Sequence, residues 1–103
     1  MFSFDIHDLD ETIHGRVRLG IMTFLASTGT ADFTTLKAHL QVSDGNLSTH
    51  LRKLEEADYI LQNKSFAGRR PLTQLSLTEK GRKAYIAYLD AISRLISMTD
   101  PKA

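Results

Sequence analysis

The sequence predicts a mainly helical α+β domain, in which three helices are followed by a β-hairpin and a long final helix. Leucines at helical spacing mark a helix over residues 43–57, and an apolar stripe marks another over residues 78–98. Between them, two strand-like runs flank a loop that contains Gly and Pro. A chain of 103 residues with 42% hydrophobic content suits one domain with one core, spanning residues 1–103.

Composition excludes several classes of protein. A net charge of +1 with 24% charged residues is typical of neither a disordered nor a strongly basic chain. Cysteine is absent, so there is no disulfide framework, thiolate nucleophile or thiolate zinc site. No apolar run is long enough to span a bilayer, and residues 1–12 are acidic where a signal peptide would be basic and then apolar. We therefore expect a soluble cytoplasmic protein with no membrane partner.

The charges are unevenly distributed along the chain. Residues 1–15 contain four acids and no Lys or Arg. Residues 64–83 reverse the balance, with Glu79 against six cations: Lys64, Arg69, Arg70, Lys80, Arg82 and Lys83. One electropositive end would suit a phosphate backbone, although charges that only solvate exposed faces explain the pattern equally well.

The first helix is predicted over residues 8–28. Asp8 and Glu11 provide an acidic start, and the following apolar residues recur at helical spacing: Leu9, Ile13, Val17, Ile21, Phe24 and Leu25. Leu19 and Met22 lie off that stripe, so the helix must be covered from two sides. Another helix would cover it, and a second subunit is one source of that helix.

A short edge strand and a second helix follow. Residues 31–33 have room for an edge strand, and Thr34 or Thr35 is placed to cap a helix over residues 34–40. Residues 41–42 then form the turn into the third helix.

The third helix, over residues 43–57, has two different faces. Ser43 is placed as the N-cap, accepting a hydrogen bond from the amide of Gly45 or Asn46. Three leucines cluster within a narrow arc and face the core: Leu47, Leu51 and Leu54. Along the chain, the side chains of the opposite arc are first small and polar and then charged: Gly45, Asn46, Thr49, Arg52, Lys53 and Glu56. Ser48 and His50 lie on the two flanks of this arc.

That outward face suits a helix that enters the major groove of DNA, because short side chains at its start permit close approach to base edges. Asn46 can pair bidentately with adenine, and the hydroxyls of Ser48 and Thr49 can donate or accept. Lys53 is better placed for phosphate, and Arg52 has Glu55 and Glu56 as alternative partners. An ordinary solvated position is the alternative for each of these residues.

A hairpin is predicted over residues 60–77, with strands at 60–64 and 73–77 and a loop at 65–72. Gly68 permits the turn and Pro71 stiffens it. Arg69 and Arg70 are adjacent at the tip and repel each other unless an anion arrives, which favours contact with the minor groove or its phosphates over a solvated tip.

The last helix, over residues 78–98, is capped by Thr78 and carries a broad apolar surface. One stripe contains Tyr85, Tyr88, Leu89, Ile92, Leu95 and Ile96. Alanines and Met98 widen it beyond what so small a domain covers. A second copy across a two-fold axis is the favoured partner, and packing wholly inside the monomer is the alternative.

This order of elements is the plan of a winged helix-turn-helix: a three-helix core, a wing sheet of two or three strands and a long C-terminal dimerisation helix. The segment LQVSDGNLSTHLRKLEEADYI resembles the turn and recognition helix of the MarR and ArsR groups of transcription regulators. LDETIHGRVRLGIMTFLAS is similar to their first helix, and FAGRRPLTQLSLTEKGRKA to their wing and final helix. The likeness covers most of the chain and is nearest to small single-domain members.

The resemblance implies a homodimeric regulator of transcription that binds double-stranded DNA at an inverted repeat. Its DNA contacts would be Ser43, Gly45, Asn46, Ser48, Thr49, His50, Lys53, Lys64, Arg69 and Arg70. Its dimer contacts would be Leu19, Met22, Tyr85, Tyr88, Leu89, Ile92, Leu95 and Ile96. Asp58 departs from the Gly usual after the recognition helix, but Asp tolerates a left-handed backbone. Asp44, at the helix start, would repel a nearby phosphate.

Neither a cofactor nor a metal is expected. The four histidines are His7, His14, His39 and His50, and no pair has i, i+4 spacing. Whether a small-molecule ligand exists cannot be read from the sequence. No Gly-rich loop, nucleophile elbow or paired acidic motif indicates an enzyme. The serious alternative is a winged helix that binds another protein without specific DNA binding.

Overall fold

The chain forms four α-helices and one three-stranded antiparallel sheet in a computed structural model that describes residues 4–99. The elements are α1 (Arg16–Thr28), β1 (Thr30–Asp32), α2 (Phe33–Leu40), α3 (Asp44–Glu56), β2 (Ile60–Ala67), β3 (Arg70–Leu77) and α4 (Glu79–Thr99). The strand order is β1-β3-β2. The predicted α+β winged helix is confirmed, while residues 1–3 and 100–103 of the predicted domain lie outside the described part.

The predicted start of the first helix at residue 8 is wrong, because α1 begins only at Arg16. Ile6–Asp8 forms a 3₁₀ turn, and an Asx-type turn follows it. The Asp10 carboxylate accepts hydrogen bonds from the amides of Thr12 at 2.8 Å and Ile13 at 3.2 Å. A short polar side chain thus gives these amides a partner that competes with the helix.

The helix-turn-helix is fixed by side-chain caps. Asp32 caps α2 by accepting a hydrogen bond from the amide of Thr35 at 2.7 Å, a role the sequence analysis gave to a threonine. Gln41 ends α2 in the left-handed region with φ 56°. Ser43 caps α3 as predicted, accepting from the amide of Asn46 at 3.1 Å.

The core lies between α3, α1 and the sheet. All three predicted leucines of α3 are fully buried. They belong to one cluster with Ile13, Ile21, Met22, Leu25, Leu36, Ile60, Leu75 and Tyr88. Replacing one α3 leucine by Ala would cost about 2–5 kcal/mol, so the inner face holds the helix while its outer face stays free.

The wing is the hairpin of residues 60–77, as predicted, but its two strands are longer than predicted. Pairing runs without a break from Ile60 opposite Leu77 to Ala67 opposite Arg70, so the turn is only Gly68-Arg69 and the predicted loop over residues 65–72 is wrong. Gly68 has φ 68°, the left-handed conformation that a two-residue hairpin turn needs at its first position. Pro71 fits within β3 because β1 pairs only with residues 74–76, which leaves an edge at that point.

One junction joins the end of α3, the base of the wing and the start of α4. Thr78 donates its amide to the carbonyl of Tyr59 at 3.0 Å, and its hydroxyl donates to the carbonyl of Asp58 at 2.6 Å. The same hydroxyl accepts from the amide of Gly81 at 2.9 Å, the predicted cap of α4. A Cβ on Gly81 would lie 2.0 Å from the Tyr59 carbonyl oxygen, so only glycine fits.

Two further contacts hold Tyr59 in this junction. Its hydroxyl donates to the Asp10 carboxylate, which ties the N-terminal turn to the base of the wing. Burial and this hydrogen bond raise the pKa of Tyr59 to about 12. The Lys80 ammonium lies 5.9 Å from the centre of the ring. Asp58 takes φ 63°, so the turn forms despite the absence of glycine.

We predict that Gly81→Ala destabilises the protein by about 3 kcal/mol, because the new methyl group would overlap a backbone carbonyl that cannot move independently. Urea unfolding followed by circular dichroism measures the change. Gly45→Ala is the matched control. Its Cβ would meet nothing within 4 Å, so it should stabilise α3 by roughly 0.5 kcal/mol. Equal unfolding midpoints for the two variants would contradict this packing.

Candidate nucleic-acid interface

The outer face of α3 is open at its first two turns. Gly45, Asn46 and Thr49 are exposed, and Ser48 is half-buried on the flank. Nothing else in the described structure lies within 4 Å of the position a Gly45 Cβ would take. The surface is therefore accessible and free of bulky side chains, as close approach to base edges requires.

The polar side chains on this face differ in what they have left to offer. The Ser43 hydroxyl is used as an acceptor by the helix cap. The Thr49 hydroxyl donates to the carbonyl of Gly45 at 2.9 Å, which leaves its methyl group and a lone pair for an external partner. Within residues 4–99 the Asn46 side-chain amide has no hydrogen-bond partner, so both its donor and its acceptor are available.

Asp44 is neutralised by a neighbouring helix. The ammonium of Lys37 on α2 lies 2.6 Å from an Asp44 carboxylate oxygen. The repulsion that Asp44 was expected to exert on a phosphate is thereby reduced. The carboxylate still complements the positive end of the α3 dipole.

His50 is turned toward the protein. Arg18 of α1 donates to its Nδ1 atom at 3.0 Å, while the Arg18 Nε atom donates to the carbonyl of Thr12 at 2.6 Å. Since arginine only donates, His50 accepts at Nδ1 and carries its proton on Nε2. Partial burial, and then the charges of Arg18 and Lys53, lower the pKa of His50. His50 therefore braces α3 against α1, and only Nε2 remains for an outside partner.

The last turn of α3 carries mixed charge. Lys53 is exposed beside a shallow cleft, which is also lined by Glu11, Thr12, Arg18, Glu56 and Ala57. In the described structure Arg52 forms no ion pair with Glu55 or Glu56, and Glu55 instead accepts from Gln62 at 3.3 Å. Glu11 and Glu56, which line this cleft with Lys53, weaken the attraction of Lys53 for phosphate, but they do not cancel the positive charge of Arg52.

The wing carries the unopposed positive charge. Lys64 is exposed on β2, Arg69 lies in the turn, and Arg70 begins β3. No Asp or Glu occurs between Ile60 and Thr78 in the sequence. These three cations lie on a hairpin that contains no acid, so they form a surface that attracts an anionic backbone.

The predicted dimer residues lie on α1 and α4 and differ in burial. Met22 and Tyr88 are buried in the protomer, at 0% and 3% exposed, so their assignment to an intersubunit surface is wrong. The half-buried members are Leu19, Tyr85, Ile92 and Leu95. Leu89 and Ile96 are exposed at 44% and 62%, and Ile86, which the prediction missed, is 60% exposed. Ile86 lies off the predicted stripe, and that offset was the available signal of a second apolar face.

The inner face of α4 is held by polar contacts as well as by packing. The Tyr88 hydroxyl lies 2.7 Å from Nδ1 of His14, and the Tyr85 hydroxyl donates to Thr23 of α1 at 3.0 Å. Burial raises the pKa of Tyr88. With both phenols bonded inside the protomer, the two tyrosines orient α4 so that its other apolar face points outward.

Among residues 4–99, no group of three or more His, Cys, Asp or Glu side chains could hold a metal ion. No helix within that same range has the length and apolar content needed to cross a membrane.

We predict that the partial burial of His50 beside Arg18 makes folding stability depend on pH. Because the pKa of His50 is lowered in the folded state, the unfolded chain binds this proton more readily. The stabilisation is therefore complete above pH 6.5, the ordinary value, and is lost as the pH falls from there through the folded pKa.

The test is urea unfolding of the wild type and of His50→Asn, which keeps an acceptor but does not titrate. The difference in unfolding free energy between the two proteins should change between pH 7.5 and about pH 5, against the wild type at the acidic end. The same difference at every pH would show that the histidine does not titrate against Arg18.

Comparison with known proteins places this geometry in a family. Residues 17–96 of the chain match the sequence model of a protein family described as a winged helix DNA-binding domain. An uncharacterised protein of Methanocaldococcus jannaschii is 38% identical over 79 residues, which are 77% of this chain and 86% of that protein.

Two solved structures show the same fold. The chain is similar to a transcriptional regulator homologue from Pyrococcus horikoshii, with 31% identity, a TM-score of 0.83 and coverage of 88% of this chain and 90% of that one. It is also similar to a MarR-family regulator from Enterococcus faecalis, with 26% identity, a TM-score of 0.67 and coverage of 84% and 74%. The predicted likeness to MarR regulators is confirmed.

Proposed function

Because this chain belongs to the winged helix DNA-binding domain family, we propose that it is a transcription regulator that binds a specific double-stranded DNA sequence as a homodimer. In this proposal α3 occupies the major groove and the wing touches the flanking backbone or minor groove. The observation that carries it is the exposed, small and polar start of α3 beside an acid-free, cationic wing.

The outer face of α3 supports sequence reading. A free Asn46 amide can pair with the N6 and N7 atoms of adenine, and the Thr49 methyl group can contact a thymine methyl. The open space over Gly45 lets the helix approach the base edges. Lys53 lies one turn further along, where a longer side chain reaches phosphate.

The wing supports positioning. Contacts to phosphate fix register without reading sequence, and Arg69 and Arg70 are exposed at the tip for that purpose. Lys64 adds a cation along β2. If Lys53, Lys64, Arg69 and Arg70 of each subunit contact phosphates, a plot of the logarithm of affinity against the logarithm of salt concentration should have a slope of roughly −5 to −7.

The exposed face of α4 supports a homodimer. Ile86, Leu89 and Ile96 recur at helical spacing and remain uncovered in the protomer. The radius of gyration is 15.7 Å, above the ~13 Å of a compact domain of this length, because the protomer is drawn out to 60 Å along one axis. A two-fold axis at α4 would place two α3 helices about 34 Å apart on an inverted repeat.

We predict that Asn46→Ala and the double change Arg69→Ala with Arg70→Ala affect DNA binding differently. Loss of Asn46 removes a base contact, so it should change which duplexes are preferred, at about 1–3 kcal/mol per site. Loss of the arginines should weaken all duplexes nearly alike and flatten the salt slope by about 3 to 4 in a dimer. Fluorescence anisotropy against salt measures both effects.

The control for that experiment is Arg94→Ala, which removes a cation from α4 and not from the surface proposed to contact DNA. It should leave both preference and salt slope unchanged. Unaltered binding after both interface changes would overturn the assignment of this face. Folded, dimeric protein without salt-sensitive DNA binding would favour the alternative of a module that binds protein.

We predict that Ile86→Glu combined with Leu89→Glu converts a dimer into folded monomers, because four carboxylates would meet in an apolar interface. Sedimentation equilibrium gives the mass, and circular dichroism checks folding. Leu61→Glu is the matched control, since Leu61 is 59% exposed on the wing and should not affect assembly. A double variant that stays dimeric, or a wild type that is monomeric at tens of micromolar, would refute the interface.

A further inference from the structure

An aromatic side chain stands exposed near the tip of the wing. Phe66 is 72% exposed, the highest value among the large hydrophobic residues of the described structure. It lies opposite Pro71 in the hairpin and two positions before Gly68 of the turn. Burial of this ring against a partner would be favourable, because it would remove apolar aromatic surface from water.

The register fixes which face of the wing carries this ring. Alternate residues of β2 share a face, so Phe66 and Lys64 lie on the same side as Ile60. At the base of that face, Ile60 and Leu75 are buried in the cluster that contains the α3 leucines. Phe66 therefore continues, beyond the body of the domain, the face of the sheet on which α3 packs.

The surroundings of the ring define the chemistry of its partner. Lys64, Arg69 and Arg70 lie within four positions of it, and no acid occurs in the wing. The partner must therefore offer negative charge at its rim and a flat or apolar interior. The minor groove of duplex DNA fits, with phosphates along both edges and sugars and bases between them, and proteins insert apolar side chains there between base steps.

We infer that Phe66 enters the minor groove beside the wing cations and wedges against a base step, bending the duplex. The inference rests on the proposed DNA binding and adds an apolar contact that releases no counterion. The contribution of the ring to affinity should therefore be separable from the contribution of the charges. Removing the ring lowers affinity and bending but leaves the salt slope intact.

The test compares wild type with Phe66→Ala and Phe66→Leu on a mixed-sequence duplex of about 30 base pairs and on a duplex recovered by selection from a random library. Phe66→Ala should lose about tenfold or more in affinity at every salt concentration, with an unchanged slope. Phe66→Leu should lose less because it keeps an apolar wedge. Fluorescence transfer between the duplex ends should report a bend with wild type and little with Phe66→Ala.

Leu61→Ala is the control, since Leu61 is exposed on the opposite face at the base of the wing and should bind as wild type does. Wild-type affinity for Phe66→Ala would overturn the inference. So would a weaker variant with a flattened salt slope or a dissociated dimer, because the ring would then act through charge or assembly. If wild type binds neither duplex, the proposed function itself fails, which is a separate result.

Discussion

The close approach of Gly81 to the carbonyl of Tyr59 fixes how α3, the wing and α4 are placed relative to one another. It places the first turn of α4 directly on the chain that leaves α3 and enters the wing, and Thr78 bonds both sides together. The direction of α3, the base of the hairpin and the axis of α4 are therefore set at one point. The proposed DNA binding through α3 and the wing, and the proposed assembly through α4, require these relative positions to be fixed.

Internal contacts decide which groups on α3 remain available for a partner. The leucine face anchors the helix, while Lys37 pairs with Asp44 and Arg18 with His50. These two contacts offset a negative charge and engage an imidazole nitrogen at the surface proposed to meet DNA. What remains outward is a glycine, a free amide and a threonine methyl group, followed by cations. The proposed specificity thus depends on neighbours in α1 and α2 as well as on α3 itself.

Sequence patterns that are compatible with only one structure were predicted correctly, and patterns that are compatible with two structures were not. The leucines of α3 admit one buried face, and Ser43 stands where a cap must stand, so both were predicted correctly. Apolar residues cover two faces of α4, and periodicity cannot say which turns inward; Tyr88 was therefore assigned to the wrong side and Ile86 was missed. The helical spacing before Arg16 was real, but it was overridden by the local hydrogen bonds that the Asp10 carboxylate accepts from the amides of Thr12 and Ile13.

Chemical protection of a bound duplex tests directly whether α3 lies in the major groove and the wing on the backbone. Dimethyl sulfate reports guanine N7 in the major groove, and hydroxyl radicals report the backbone along the minor groove. If the proposed dimer places α3 in the major groove, two major-groove segments about one helical turn apart should be protected. Each should be flanked by backbone protection that disappears when Arg69 and Arg70 are replaced by Ala. Protection confined to the backbone, with reactive N7 atoms throughout and no paired spacing, would contradict this placement of α3.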